Sequence, residues 1–221
     1  MKNKTVTISS DSFRAVIFDM DGTMVDNAGY HTKAWQLFLN KHGIKLTQEE
    51  FDKRLAGKRN EPILEDLFDR KLSKKEIEKY AFEKERIYRE LYSDFVKEVD
   101  GLGQLLKSIK DLGKKVAVAT NSPKENLDFI FNNLDLHSFF DAAVWDKHVK
   151  KGKPNPEIYI HISEKLGIDP EDCLVFEDTP TGIKAGKSAR MKVIALLTGH
   201  PKEALKEADY FIEDFTQVHF S

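Results

Sequence analysis

The chain has 221 residues, a length that fits one compact domain or one core domain carrying a smaller insert. Hydrophobic residues make up 40% of it, which excludes a natively disordered chain; Lys+Arg 35 against Asp+Glu 37 leaves a formal charge of -2, so no global excess recruits nucleic acid or an anionic membrane. The single cysteine, Cys173, excludes an internal disulfide and a Cys-based zinc site. No run approaches the roughly 20 apolar residues of a membrane span, and no apolar stretch follows the charged start Met1-Lys2-Asn3-Lys4, so the expected location is the cytoplasm.

The first predicted element is a buried strand, Ala15-Val16-Ile17-Phe18. From about Tyr30 to Phe95 the pattern is helical without a convincing strand. Two capping boxes, Thr47-Gln48-Glu49-Glu50 and Ser73-Lys74-Lys75-Glu76, mark helix starts there, and the charge run Glu83-Lys84-Glu85-Arg86 reads as a solvated helix face. Leu102, Leu105, Leu106 and Ile109 then give a one-sided helical stripe, followed by a strand at Val116-Ala117-Val118-Ala119. Leu127, Ile130, Phe131 and Leu134 make a second stripe, and strands recur at Leu174-Val175-Phe176 and Val193-Ile194-Ala195-Leu196-Leu197, with weaker candidates at Ala143-Val144-Trp145 and Tyr210-Phe211-Ile212. Near-continuous apolar strands alternating with helices predict an α/β doubly wound parallel sheet. Residues 1–28 and 96–221 are expected to form this core and residues 29–95 a helical insert.

Carboxylates fall where such a sheet presents its chemistry, at the carboxyl ends of strands. Asp19 and Asp21 follow the first strand in Asp19-Met20-Asp21-Gly22-Thr23, and Glu177-Asp178 follow another. Converging acids need a cation, and hard oxygen ligands suit Mg2+. Read by themselves, Asp19 and Asp21 could instead cap a turn. The run Thr120-Asn121-Ser122-Pro123-Lys124-Glu125 ends a strand in hydroxyls and opens a helix, with Ser122 expected at the N-cap, where free N–H groups can receive a phosphate. Lys153, in Gly152-Lys153-Pro154-Asn155, stands before a rigid turn, and small residues after Asp178 (Gly182, Ala185, Gly186) let a helix approach the sheet closely.

In this order the four segments Asp19-Met20-Asp21-Gly22-Thr23, Thr120-Asn121, Lys153-Pro154 and Glu177-Asp178 resemble the four motifs of the haloacid dehalogenase superfamily, within its branch of β-phosphoglucomutase-like sugar phosphatases and mutases. The resemblance implies a Rossmann-like core, a helical-bundle cap, and a phosphoryl-transfer enzyme acting on a small phosphorylated metabolite, expected as a monomer with no nucleic-acid or membrane partner. It implies Asp19 as nucleophile and Asp21 as general acid and base, with Thr120 and Lys153 holding phosphoryl oxygens. Mg2+ is expected on the Asp19 carboxylate, the Asp21 main-chain carbonyl and Asp178, with Glu177 positioning this shell. Substrate contacts are expected from His31, Trp35, the loop Gly57-Lys58-Arg59-Asn60, Lys84, Asn121 and Ser122. Read by itself, Trp35 is first of all core of the insert, and His31 reads equally as a satisfied interfacial histidine. The mutases carry an arginine where this chain has Asn60 and a threonine where it has Asn27, which favours hydrolysis over a β-phosphoglucomutase reaction. A phospho-accepting receiver-like signalling module also clusters aspartates, a hydroxyl and a lysine, but has no helical insert and no residue in the role of Asp21.

Overall fold

The computed structural model describes residues 5–55 and 59–221. Strand β1 (Val6–Ile8) lies outside the main sheet, which begins at β2 (Ala15–Phe18). Four helices follow: α1 (Ala28–Lys41), α2 (Gln48–Leu55), α3 (Asn60–Phe68) and α4 (Lys74–Tyr92). The chain then runs through α5 (Leu102–Asp111), β3 (Lys115–Ala119), α6 (Lys124–Leu134), β4 (Ala142–Val144), α7 (Glu157–Leu166), β5 (Cys173–Glu177), α8 (Pro180–Ser188), β6 (Lys192–Leu196), β7 (Tyr210–Ile212) and β8 (Val218–Phe220).

The main sheet has the order β4-β3-β2-β5-β6-β7 and every pairing in it is parallel. This is the Rossmann-like arrangement, with the strand order reversing between β2 and β5, the place where such a sheet opens a crevice at its carboxyl edge. Side chains alternate across the strands. Ala15, Ile17, Ala117 and Val175 pack with Ile158 and Ile162 of α7 and Ile183 of α8. Of their neighbours in β2 and β5, Phe18 stacks on Phe176 with centroids 5.0 Å apart and meets Phe140 and Phe215 at steep angles. Gly186 carries the close approach of α8: a Cβ there would lie 2.9 Å from Val193 Cγ2. The parallel pair β1 and β8 was not expected, because three-residue segments give too short a pattern to read.

The chain forms two compact units, one from the described residues up to Asp26 together with Lys97–Ser221, the other from Asn27–Val96. The helical unit has its own core of Trp35, Phe38, Leu39, Ile63, Leu64 and Leu67. Both capping boxes form: Thr47 and Glu50 exchange bonds at 2.8 and 3.2 Å, Ser73 and Glu76 at 2.8 and 3.3 Å. The charge run in α4 corrects the sequence reading, since Lys84 and Glu85 are buried with Tyr88 and Tyr92 and only Arg86 of that run is exposed. Pairing allows it, because a buried charge is tolerated when a partner charge and hydrogen bonds compensate its lost hydration. Among the described residues no helix is long and apolar enough to cross a membrane.

Candidate active site

The reversal between β2 and β5 sets two acidic segments side by side. Asp19 leaves β2 with its N–H bonded to Phe176 O at 2.9 Å, one residue before Glu177. The next turn closes tightly, with Gly22 N to Val25 O at 2.8 Å and Met24 N to Met20 O at 2.9 Å, and Gly22 takes φ +78, a left-handed conformation that glycine adopts without strain. Thr198 after β6 donates to Gly22 O at 2.5 Å and pins this turn.

Lys153 comes from the loop before α7 and is buried among acceptors. Its ammonium binds Asp19 Oδ1, Glu177 Oε1 at 2.6 Å and Ala119 O at 3.0 Å. Burial works against this ammonium, but the charges of Asp19 and Glu177 and their hydrogen bonds outweigh it, holding its pKa above the ordinary lysine value. Burial raises the Asp19 carboxyl well above the carboxylate range; Lys153 opposes the shift, and the charges of Glu177 and Asp21 add to it. Asp178 is raised well above that range too, by burial and then by Glu177 and Asp19.

Ligand oxygens of Asp19, Glu177 and Asp178 lie within 4.8 Å of one another. Three hard carboxylates brought this close together could hold a divalent cation. Glu177 is spoken for by its own chain: Oε1 accepts from Lys153 and from Tyr159 OH at 2.8 Å, Oε2 from Asp178 N, Thr179 N and Thr179 Oγ1. Asp19 and Asp178 are held through Oδ1, by Lys153 and by Thr23 at 3.2 Å. These two therefore fit direct contact with Mg2+, and Glu177 fits the orienting role. Space for the site is made by glycines: a Cβ on Gly22 would lie 2.1 Å from Asp178 Oδ2, and one on Gly182 would lie 1.8 Å from Glu177 Oε1. Gly22→Ala is expected to push Asp178 aside and weaken Mg2+ binding by about 10- to 100-fold, the scale of a lost supporting contact around a metal. Titration calorimetry with Mg2+ checks this, and an unchanged affinity refutes it.

The carboxylate of Asp21 stands apart from this trio and accepts from Ser122 Oγ at 2.5 Å. That corrects the expected N-cap. Pro123 occupies the cap position before α6 without a side-chain bond, while Ser122 turns its hydroxyl to Asp21 and its N–H to Thr120 Oγ1 at 3.0 Å. Asn121 Oδ1 accepts from Lys153 N at 3.3 Å, tying the two loops together. Thr120, Asn121, Ser122, Lys153 and the four acids thus assemble in the sheet-bearing unit.

Four of the expected substrate residues meet within the helical unit. His31 stacks on Tyr88 with centroids 3.8 Å apart, and its Nδ1 accepts from Lys84 Nζ at 2.8 Å. Lys84 Nζ lies 5.1 Å from the Trp35 ring centroid and 3.0 Å from Glu85 Oε1. Asn60 Nδ2 donates to that same oxygen at 2.8 Å. Trp35 also packs in the unit's core. Arg59 is the half-buried residue that precedes α3, and Gly57 and Lys58 lie outside the described residues.

A family model of haloacid dehalogenase-like hydrolases matches residues 13–190. The chain belongs to this family. It is 34% identical over 183 residues, 81% of its length and 83% of the relative's, to a protein of Thermotoga maritima named phosphorylated carbohydrates phosphatase. It is 32% identical to the β-phosphoglucomutase of Bacillus subtilis, with 85% of each covered. Among solved structures, a family IA haloacid dehalogenase-type hydrolase from Entamoeba histolytica superposes with a TM-score of 0.84 at 30% identity, covering 94% of this chain and 96% of that one. The chain is a haloacid dehalogenase-like enzyme of the phosphatase and phosphomutase kind, with a Rossmann-like core.

Several residues of this haloacid dehalogenase-like site escaped the sequence reading. Tyr159 sits one turn into α7, in a stripe that reads as core, and its raised pKa, due to burial and then to Glu177, keeps its hydroxyl a donor. Thr23 closes the acidic motif as quoted but was given no role there, and its hydroxyl donates to Asp178 Oδ1. In the helical unit, taken by itself, Glu85 was hidden inside a charge run.

Proposed function

We propose that the chain is a Mg2+-dependent phosphatase that hydrolyses small phosphate monoesters, sugar phosphates among them, through an aspartyl phosphate on Asp19. The observation that carries this reading is the division of labour between two neighbouring carboxylates: Asp19 is gripped by Lys153 beside Glu177 and Asp178, whereas Asp21 is held separately by Ser122. The name of the Thermotoga maritima relative supports the substrate class.

In the first half-reaction an Asp19 oxygen attacks phosphorus, the bond to the leaving oxygen breaks, and Asp21 delivers the proton that makes it an alcohol. In the second, water attacks the phosphoryl-aspartate, its proton passes to Asp21, and the Asp19–phosphorus bond breaks to release phosphate. Thr120 Oγ1 already accepts from Ser122 N, which leaves its O–H to donate to a phosphoryl oxygen. Lys153 offers positive charge to the phosphoryl group that Asp19 carries. Asp19, Asp178 and the Asp21 main-chain carbonyl, oriented by Glu177, would hold Mg2+, which would supply Lewis-acid charge to the phosphoryl group. The helical unit contributes the substrate-selecting residues His31, Trp35, Lys84 and the loop of Gly57, Lys58, Arg59 and Asn60, and residues 29–95 act as its cap.

Identity with the Bacillus subtilis enzyme favours a second reading, β-phosphoglucomutase, which differs only in what accepts the phosphoryl group. The deciding assay supplies β-glucose 1-phosphate with catalytic glucose 1,6-bisphosphate, and a panel of phosphate esters alone, with Mg2+ or with excess chelator. Free phosphate that vanishes on chelation is the expected result. Stoichiometric glucose 6-phosphate with almost no free phosphate establishes the mutase, and release unaffected by chelation overturns the metal assignment.

A further inference from the structure

The geometry points to Tyr159 as a positioning residue for phosphoryl transfer: its hydroxyl holds the Glu177 carboxylate from α7, so that Glu177 keeps the Lys153 ammonium anchored when Asp19 releases it to the phosphoryl group. The inference rests on the phosphatase reading and assigns a role within the same site, inside the sheet-bearing unit alone.

Tyr159 is the third residue of α7 and lies six positions beyond Lys153. Helix side chains lean toward the N-terminus, which carries its ring back toward the loop that bears Lys153. The ring centroid lies 5.0 Å from Lys153 Nζ, and the hydroxyl beyond it donates to Glu177 Oε1 at 2.8 Å. Tyr159 and Glu177 are both 0% exposed, so bulk water does not compete for that oxygen. An ammonium has three N–H donors, and those of Lys153 are committed to Asp19 Oδ1, to Glu177 Oε1 at 2.6 Å and to Ala119 O at 3.0 Å. To grip a phosphoryl oxygen, Lys153 has to give up one acceptor. Asp19 is the one whose hold lapses: as its oxygen bonds phosphorus and the bond to the leaving oxygen breaks, the negative charge passes to that oxygen, which Asp21 protonates. The N–H freed from Asp19 then turns to the phosphoryl group while Glu177 and Ala119 hold the other two. Glu177 serves as a fixed point only if its Oε1 stays in place. Its Oε2 is held by longer bonds, 3.1 to 3.2 Å, from Asp178 N, Thr179 N and Thr179 Oγ1, and on Oε1 the donor besides the lysine itself is Tyr159. Without that hydroxyl the carboxylate can follow the ammonium, and a displacement of about 1 Å in a positioning group costs roughly 100-fold in rate.

The test is Tyr159→Phe, which keeps the ring and its packing and removes the hydroxyl alone. Rapid-quench labelling with ³²P-labelled p-nitrophenyl phosphate in saturating Mg2+ gives the rate of phosphoryl-enzyme formation, and the dependence of that rate on ester concentration gives ester affinity. The variant is expected to be labelled about 10- to 100-fold more slowly at saturating ester, with its affinities for ester and for Mg2+ each within about threefold of the parent's. A double-mutant cycle with Lys153→Met reads the route: adding Tyr159→Phe to Lys153→Met is expected to change labelling by less than about threefold, whereas two independent sites would add. The Tyr159→Phe rates alone decide the matter where Lys153→Met does not fold. A lower urea midpoint with an unchanged labelling rate marks a merely structural residue and overturns the inference, as do full additivity in the cycle and slow labelling explained by weakened Mg2+ binding. Slow labelling of Tyr159→Phe in a protein that passes its label to a sugar hydroxyl instead of water supports the role of Tyr159 and strikes the phosphatase reading alone. Phosphate release by the parent with unchanged labelling of Tyr159→Phe strikes the inference alone.

Discussion

Replacing Asp19 with asparagine is expected to abolish phosphoryl-enzyme formation and lower kcat/KM by roughly 10⁴- to 10⁶-fold, the range found when a nucleophile is removed from a working site. The neutral amide keeps the volume but loses the nucleophilic oxygen and the negative charge that Lys153 grips. Asp21→Asn is expected to behave differently, because its carboxylate lies outside the buried trio and carries a proton instead of phosphorus. With a good leaving group such as p-nitrophenolate the first half-reaction needs little acid assistance, so this variant should still be labelled while turning over about 10²- to 10⁴-fold more slowly. Rapid-quench experiments with ³²P-labelled ester read both effects. Label on Asp19→Asn at the parent's level removes Asp19 from the nucleophile's role, and equal loss of labelling in both variants removes the division of labour.

The parts of this site that could be read in the chain are those whose signal is local. Ala15-Val16-Ile17-Phe18 and Leu174-Val175-Phe176 are apolar without interruption because they lie between layers of helix, and an acid pair directly after such a run has few places to go but the open edge of the sheet. What escaped was set by distant partners. Nothing along the chain says that Ser122 turns away from its own helix toward Asp21, 101 residues earlier. Tyr159 lies in a run that any packed helix could carry, and only the fold brings its hydroxyl to Glu177. Glu85 misled for the opposite reason: four charges in a row predict a wet surface, yet α4 packs on α1 through a stripe that includes Lys84, Tyr88 and Tyr92. A charged stripe can be buried when each charge finds its counterpart, and sequence periodicity does not report partners.

Removing the cation at the centre of the carboxylates is the other large expected effect. Lys153→Met keeps most of the side chain's length and takes away its charge, leaving Asp19 and Glu177 buried with one another and with Asp178. Breaking a buried pair from one side costs about 3–5 kcal/mol, since the remaining charge keeps its desolvation penalty without its compensation. The loss should appear as a lower urea midpoint in chelator at pH 8, together with a kcat/KM reduced by roughly 10²- to 10³-fold, as for other single losses of charge stabilisation. Its pH dependence has a definite sign. Asp19 and Asp178 have folded-state pKa values well above 3.8, so the folded chain keeps protons that the unfolded chain gives up. Stability from these groups is greatest in acid and is lost as pH rises from about 4 through the folded values. Without Lys153 those values rise further, so the gap between variant and parent should widen as pH rises and narrow toward acid. Mg2+ should restore part of the variant's stability at pH 8, because a second positive charge among the same oxygens does what the ammonium did. Equal urea midpoints for parent and variant at pH 8 in chelator, or a gap that grows toward acid, would show that Lys153 does not hold these carboxylates together.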